Sequence, residues 1–170
     1  MTRNQRLRRV ALLCIHFTRN LAYYRAIERL VHEKNEGDFW ITMEGNCLDT
    51  AVLEWCKLFG DYKGKHYWGK IVDNSESFKA TLLSTLSITE DEWENTRLSL
   101  RSYRDAFVAH LDSKETMNIP LMTLPKEMVF FYHKHILGYE DGSGIYNRLD
   151  FDLEKYYDDV YRDATGHLPT

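Results

Sequence analysis

The amino-acid sequence predicts an all-α fold, an antiparallel helical bundle of five to six helices. Three observations carry that reading. Apolar residues recur at three- and four-residue steps along most of the chain, the period of helices buried on one side. Nowhere do Val, Ile and Thr alternate with polar residues at the two-residue period of a half-buried strand. The length, 170 residues, suits one domain spanning 1–170, with 139–170 as a C-terminal helical extension. Wide apolar faces and short connections favour antiparallel neighbours.

The elements follow in order. A first helix is expected from Arg6 to about Glu33, on Leu7, Val10, Leu13, Phe17, Leu21, Tyr24, Ile27 and Leu30. Arg3, Arg6, Arg8 and Arg9 crowd its start, where the helix dipole favours acids. Such a run is either a solvated end or a face turned to a partner. Asn35-Glu36-Gly37-Asp38 breaks this helix. A second helix is expected from near Asn46 to Phe59, with Leu48, Val52, Leu53, Trp55, Cys56 and Phe59 as its apolar face. Gly60 stands where a glycine cap belongs. Residues 61–74 read as a loop, and Ser75 or Ser77 opens a short helix ending near Leu86. Thr89-Glu90-Asp91-Glu92 is a capping box. The helix it opens runs through Trp93, Arg97, Leu100, Arg104 and Phe107 to about Leu111. Asp112 to Thr123 is a loop containing Pro120. Pro125 suits the first turn of a helix reaching about Leu137 and stopped by Gly138. After a loop at 139–147, a last helix spans Asp152 to Asp163.

Composition narrows the function classes. Hydrophobic residues make up 44% and charged residues 28%, the balance of a globular chain. No stretch approaches the roughly 20 apolar residues of a membrane span. The net charge of −4 and pI near 6.0 leave any nucleic-acid contact to a local patch. Cys14, Cys47 and Cys56 are odd in number and form no C-x-x-C pair, as in a reducing compartment. The opening TRNQRLRRVALLCIHF imitates a signal peptide but lacks a small-residue cleavage site, and Arg19 and Arg25 follow closely. A cytoplasmic chain with no membrane partner is the expectation.

The common catalytic settings are missing. Seven histidines raise the question of a metal. His133 and His135 lie two apart on a predicted helix, about 200° round it, so they cannot share one ion. No H-E-x-x-H occurs. At Arg29–His32 an arginine stands where the Glu-x-x-His ligand pair of a bundle metal site needs its carboxylate. No metal and no cofactor is expected. Gly142-Ser143-Gly144 has neither a preceding strand nor a following Lys-Ser/Thr, so it reads as a plain loop. No G-x-S-x-G frames a serine. Cys14 and Cys56 fall on apolar faces as small core residues.

The segment LSLRSYRDAFVAHLDS, residues 98–113, differs. It sets Arg101, Arg104, Asp105, His110 and Asp112 near the end of one helix that Phe107, Val108 and Leu111 can hold in the core. A guanidinium binds phosphate in fork geometry, and an imidazole moves protons near neutrality. With RNA the substrate's own 2′-hydroxyl can be the nucleophile, so neither metal nor protein nucleophile is needed. Six residues separate Arg104 from His110, about 9 Å along an ideal helix and about 240° round it. Two copies across a two-fold axis could join both groups at one phosphate, which predicts a dimer with a composite cleft. The plain alternative is a salt-bridged helix surface, with Arg101 and Asp105 paired four apart and His110 favoured by the helix C-terminus. The loop DYKGKHYWGK, residues 61–70, offers Lys63, Lys65 and Lys70 among Tyr62, Tyr67 and Trp68. That mixture suits single-stranded RNA, or else a loop whose rings pack on the core. From Tyr139 to Asp163, eight acids outnumber Arg148, Lys155 and Arg162, a stretch that repels RNA and is either a solvated face or a dock for a basic partner.

Arg104, Asp105, Ala109 and His110 together resemble the motif of the HEPN superfamily (higher eukaryotes and prokaryotes nucleotide-binding), in its abortive-infection form. The tract AVLEWCKLFGD, residues 51–61, is similar to that family's second-helix region. The resemblance covers residues 5 to 138 loosely. It implies an α-helical bundle, homodimerisation through the motif helices, and metal-independent RNA cleavage or RNA binding in a toxin or phage-defence system. Arg104 would then bind phosphate, His110 transfer protons and Asp105 orient one of them, with Arg101, Lys63, Lys65 and Lys70 on the RNA. An antitoxin partner is implied as well. Family members silenced by tyrosine modification carry that tyrosine two positions after the histidine; here the position is Asp112. The reading from another class is a non-catalytic helical interaction module whose motif helix is a dimer interface.

Overall fold

A computed structural model describes residues 2–34, 37–108, 118–140 and 151–167. Within them the chain is an all-α bundle of six α-helices, and no strand occurs among the described residues. Helix α1 spans Arg3–Lys34. Its buried stripe is Leu7, Val10, Cys14, Phe17, Leu21 and Tyr24. The steps alternate three and four, which keeps one face on the core. Cys14 therefore fills the place expected of Leu13, which is only half-buried.

Helix α2, Asp38–Trp55, starts eight residues before the expected Asn46. Phe39, Trp40, Ile41 and Thr42 are indifferent helix formers, but Trp40 and Met43 pack on the core, and tertiary burial outweighs propensity. Beyond Trp55 the chain winds on as a π-helical turn, Cys56–Gly60, closed by Asp61 N–H donating to Cys56 O at 2.8 Å. Gly60 is thus no cap. A Cβ there would stand 3.2 Å from Arg101 Cγ and 3.3 Å from Cys56 Sγ, so glycine lets the fourth helix approach.

Helix α3, Ser75–Leu86, is capped by Asn74, whose side chain accepts from Ser77 N–H. It ends on Ser87 with φ of 53°, a left-handed turn more usual for glycine. Helix α4, Glu90–Tyr103, opens on the expected capping box with both reciprocal bonds present. Two more π-helical turns follow α4 and α5: Arg104–Val108 and, after α5 at Thr123–His135, Ile136–Glu140. Gly138 lies inside the last of these and does not stop the helix. Helix α6, Leu153–His167, outlasts its expected end at Asp163. Gly142–Gly144 and most of the loop at 139–147 lie outside the described residues.

One cluster of buried side chains runs from Leu7 on α1 to Leu153 on α6. Its centre is aromatic. Phe59 stacks on Trp55 at 5.2 Å and meets Trp93 and Tyr132 edge-on. Phe78 stacks on Trp68, also at 5.2 Å. These rings join the end of α2, the 61–74 segment, α3, α4 and α5, and so fix where α4 presents its polar side.

Candidate functional site

Trp93, Leu100 and Tyr103 bury one face of α4, and Tyr103 O–H donates to Asp49 Oδ1 at 2.8 Å. With that face held, Arg104 meets the end of α2. Its Nη1 donates to Asp61 Oδ1 at 2.5 Å. Its Nε donates to Asp105 Oδ1 at 2.8 Å, and its Nη2 reaches the same oxygen at 2.7 Å. The side chain is only 15% exposed. Burial works against its charge, but the bonds to Asp61 and Asp105 outweigh burial and hold its pKa above the usual arginine value.

Cys56 is buried beside this cluster, and burial pushes its thiol up to about 12, with Arg104 pulling the other way. It is inert as a nucleophile at neutral pH. Arg101 Nε is buried without a hydrogen-bond partner, where its chain passes under Gly60. Arg101 therefore belongs to this packed cluster. Asp105 binds the neighbouring Arg104 and is not the four-apart partner of Arg101 that helix periodicity suggests.

Asp61 is the residue sequence reasoning missed. It closes the 51–61 tract, yet nothing in the pattern says that a carboxylate 43 residues before Arg104 will seat on it. His110 and Ala109, like Asp112, lie outside the described residues. The projection of about 240° between Arg104 and His110 assumed α-helical winding. Residues 104–108 are instead π-wound, with bonds from i to i+5, and His110 itself lies outside the described residues.

The lysine loop divides. Trp68 is 6% exposed and belongs to the core, whereas Tyr62 is 55% exposed; Tyr67 is half-buried. The rings are thus mostly packing, with Tyr62 the exception. Lys63, Lys65 and Lys70 are exposed, and Lys70 Nζ donates to Lys63 O at 2.8 Å. Lys65 and Lys70 line a groove of about 720 Å³ with Gln5, Arg6, Arg8, Arg9 and Leu12 of α1. The N-terminal arginines and the lysine loop, read separately in the sequence, share one surface. Next to Lys65 in the chain, His66 Nδ1 is buried without a partner. Burial, then Arg9 and Lys57, lower the pKa of His66.

Among the described residues, no three or more His, Cys, Asp or Glu side chains stand where they could hold a metal ion. No described helix is long and apolar enough to cross a membrane. Comparison with known proteins gives no match: no family model fits the chain, and no curated protein or solved structure is similar to it at a significant level.

Proposed function

We propose that the chain is a HEPN-type, metal-independent endoribonuclease acting as a cytoplasmic dimer, in a toxin or phage-defence setting with an antitoxin partner. Arg104 binds the scissile phosphate, His110 transfers the proton, and Asp105 is the positioning residue. The observation that carries this reading is the pairing inside the motif: Asp105 Oδ1 takes both Nε and Nη2 of Arg104. A guanidinium held on one edge by a neighbour keeps its other edge for a bidentate anion. Asp61 occupies that edge in the free protein, so RNA must displace Asp61 as it binds. The reaction is transesterification: the 2′-oxygen attacks phosphorus, the 5′-oxygen leaves, and a 2′,3′-cyclic phosphate forms.

The interaction-module reading has one observation in its favour. Two acids already hold Arg104, and Arg101 packs beside them, which resembles a structural tie between α2 and α4 more than an anion site. One experiment separates the two. Purified protein is incubated with mixed single-stranded and transfer RNAs in EDTA, beside Arg104→Ala and His110→Ala, with oligomeric state followed by light scattering. Cleavage by wild type that both dimeric variants lose supports the ribonuclease. Cleavage absent, or equal in the variants, supports the interaction module.

A further inference from the structure

We infer that the groove between the start of α1 and the 61–70 loop is a binding surface for the phosphate backbone of single-stranded RNA. It lies apart from the Arg104 cluster and deepens the ribonuclease reading by giving the strand a second foothold.

Not every cation near the start of α1 is free, and some are already held by acids. Arg3 is one such: it binds Glu140, Asp73 and the carbonyl of Ile71. That ties the first turn of α1 to the 71–73 segment and to the end of α5, so the arginines beyond it sit on a fixed backbone. Arg6, Arg8 and Arg9 are exposed. They and Lys65 have no carboxylate partner among the described residues, and Lys70 bonds only a carbonyl oxygen. Five cations therefore line one hollow on a chain whose net charge is −4. Arg6 and Arg9 share a helix face about 4.5 Å apart along the axis. A second hollow of about 390 Å³ continues from it and shares Arg6 and Lys70.

Unpaired, mutually repelling cations on rigid elements gain most from a ligand that brings several anions at once. A strand brings one phosphate per nucleotide and so meets this need better than a mononucleotide. Leu12, 43% exposed, gives the groove an apolar spot for a base or ribose, as single-strand sites provide. Three of the five cations are arginines, the side chain best matched to phosphate oxygens.

The test is binding of a fluorescein-labelled uridine 20-mer, followed by anisotropy between 50 and 200 mM salt. Each cation on a single-stranded phosphate contributes about −0.7 to the slope of log K against log salt. Five contacts give about −3.5, a loss of about a hundredfold across that range. Arg9→Ala with Lys65→Ala should reduce the slope to about −2.1, a loss of only about twentyfold. Arg104→Ala should leave the contribution of the five groove cations in place and lower the slope by one contact at most, about 0.7. A second readout is the His66 ring signal by NMR. Arg9 on α1, Lys57 and Glu54 at the end of α2, and Lys65 in the loop all act on it. Phosphates in the groove offset its two cations that act on the ring, Arg9 and Lys65, so the His66 pKa should rise on RNA binding.

An unchanged slope in the Arg9/Lys65 variant, with His66 unmoved, would overturn the groove while RNA binding itself stands. Cleavage lost in Arg104→Ala with the groove slope intact would leave both ideas standing as separate sites. No RNA binding by wild type, or binding only to phosphatidylserine vesicles, would overturn the groove as an RNA surface.

Discussion

The molecule holds two sets of arginines that differ in one respect, whether a carboxylate reaches them. At the end of α4, Arg104 is enclosed by Asp61 and Asp105 and nearly buried. At the start of α1, Arg6, Arg8 and Arg9 face an open groove and no acid among the described residues meets them. A paired arginine contributes to stability, and removing its partner strands a half-buried charge. An unpaired surface arginine contributes almost nothing to stability and is free for an anion. The comparison teaches that cation count says little about binding until the acids have been placed.

The largest expected effect concerns the scaffold under the paired set. Phe59 sits in the π-helical turn two residues before Asp61 and contacts Trp55, Trp93 and Tyr132. Phe59→Ala should cost about 3–5 kcal/mol, measured by urea unfolding, and should free Arg104 by loosening Asp61. A cost under about 1 kcal/mol would mean that the α2–α4 junction does not depend on this ring.

Next comes a pH effect. Burial lowers the pKa of His133 from 6.5 to about 4, with Asp152 opposing weakly. A histidine with a folded pKa below its unfolded one binds fewer protons when folded, so stability rises with pH between the two values. The contribution is complete above about pH 6.5 and is lost as pH falls towards 4, about 3 kcal/mol in all. His133→Phe should flatten that window in a pH series of unfolding curves. RNA in the groove should leave this window unmoved, since none of the groove's cations acts on His133.

How much of this was legible follows from the range of each cause. The start of α4 was, because a capping box is local: four residues hold both bonds. The core stripe of α1 was legible to within one residue, Cys14 for Leu13, because helix period is local too. The start of α2 was not, since its propensity is poor and Trp40 and Met43 are held by distant packing. The π-helical turns left no trace, since i to i+5 bonding has no residue signature. At the site, the Arg104–Asp105 contact was within reach of sequence, being adjacent. The Asp61 contact was not, and neither was the meeting of Arg6 and Arg9 with Lys65 and Lys70, because each depends on how α1 and the loop fold together.

A middle-sized effect tests the paired set directly. Asp61→Ala removes one of the two carboxylates on Arg104. Arg104 is nearly buried and Asp61 is 37% exposed, so solvent recovers part of the loss. The expected cost is about 1–2 kcal/mol, between an exposed and a buried pair. Under the ribonuclease reading the same variant binds RNA more tightly, because phosphate no longer competes with Asp61. Lower stability joined to tighter binding is a combination that a purely structural ion pair does not produce.

The smallest effect is the sharpest test of the comparison. Arg6→Ala and Arg9→Ala should change stability by less than about 0.5 kcal/mol, and the sign should be favourable at low salt. Arg6 lies in the first turn of α1, where the helix dipole opposes a cation. Arg9 lies beyond that turn, so its removal acts only by easing repulsion from Arg6, Arg8, Lys65 and Lys70. Salt near 1 M shortens the Debye length to about 3 Å and should erase both gains, Arg9's first because it rests on repulsion across the groove. Arg3→Ala is the control within the same helix: it deserts the buried Glu140 and should destabilise at every salt concentration. If Arg9→Ala behaved as Arg3→Ala does, Arg9 would be a paired structural cation, and the groove would have no free charge to offer a phosphate.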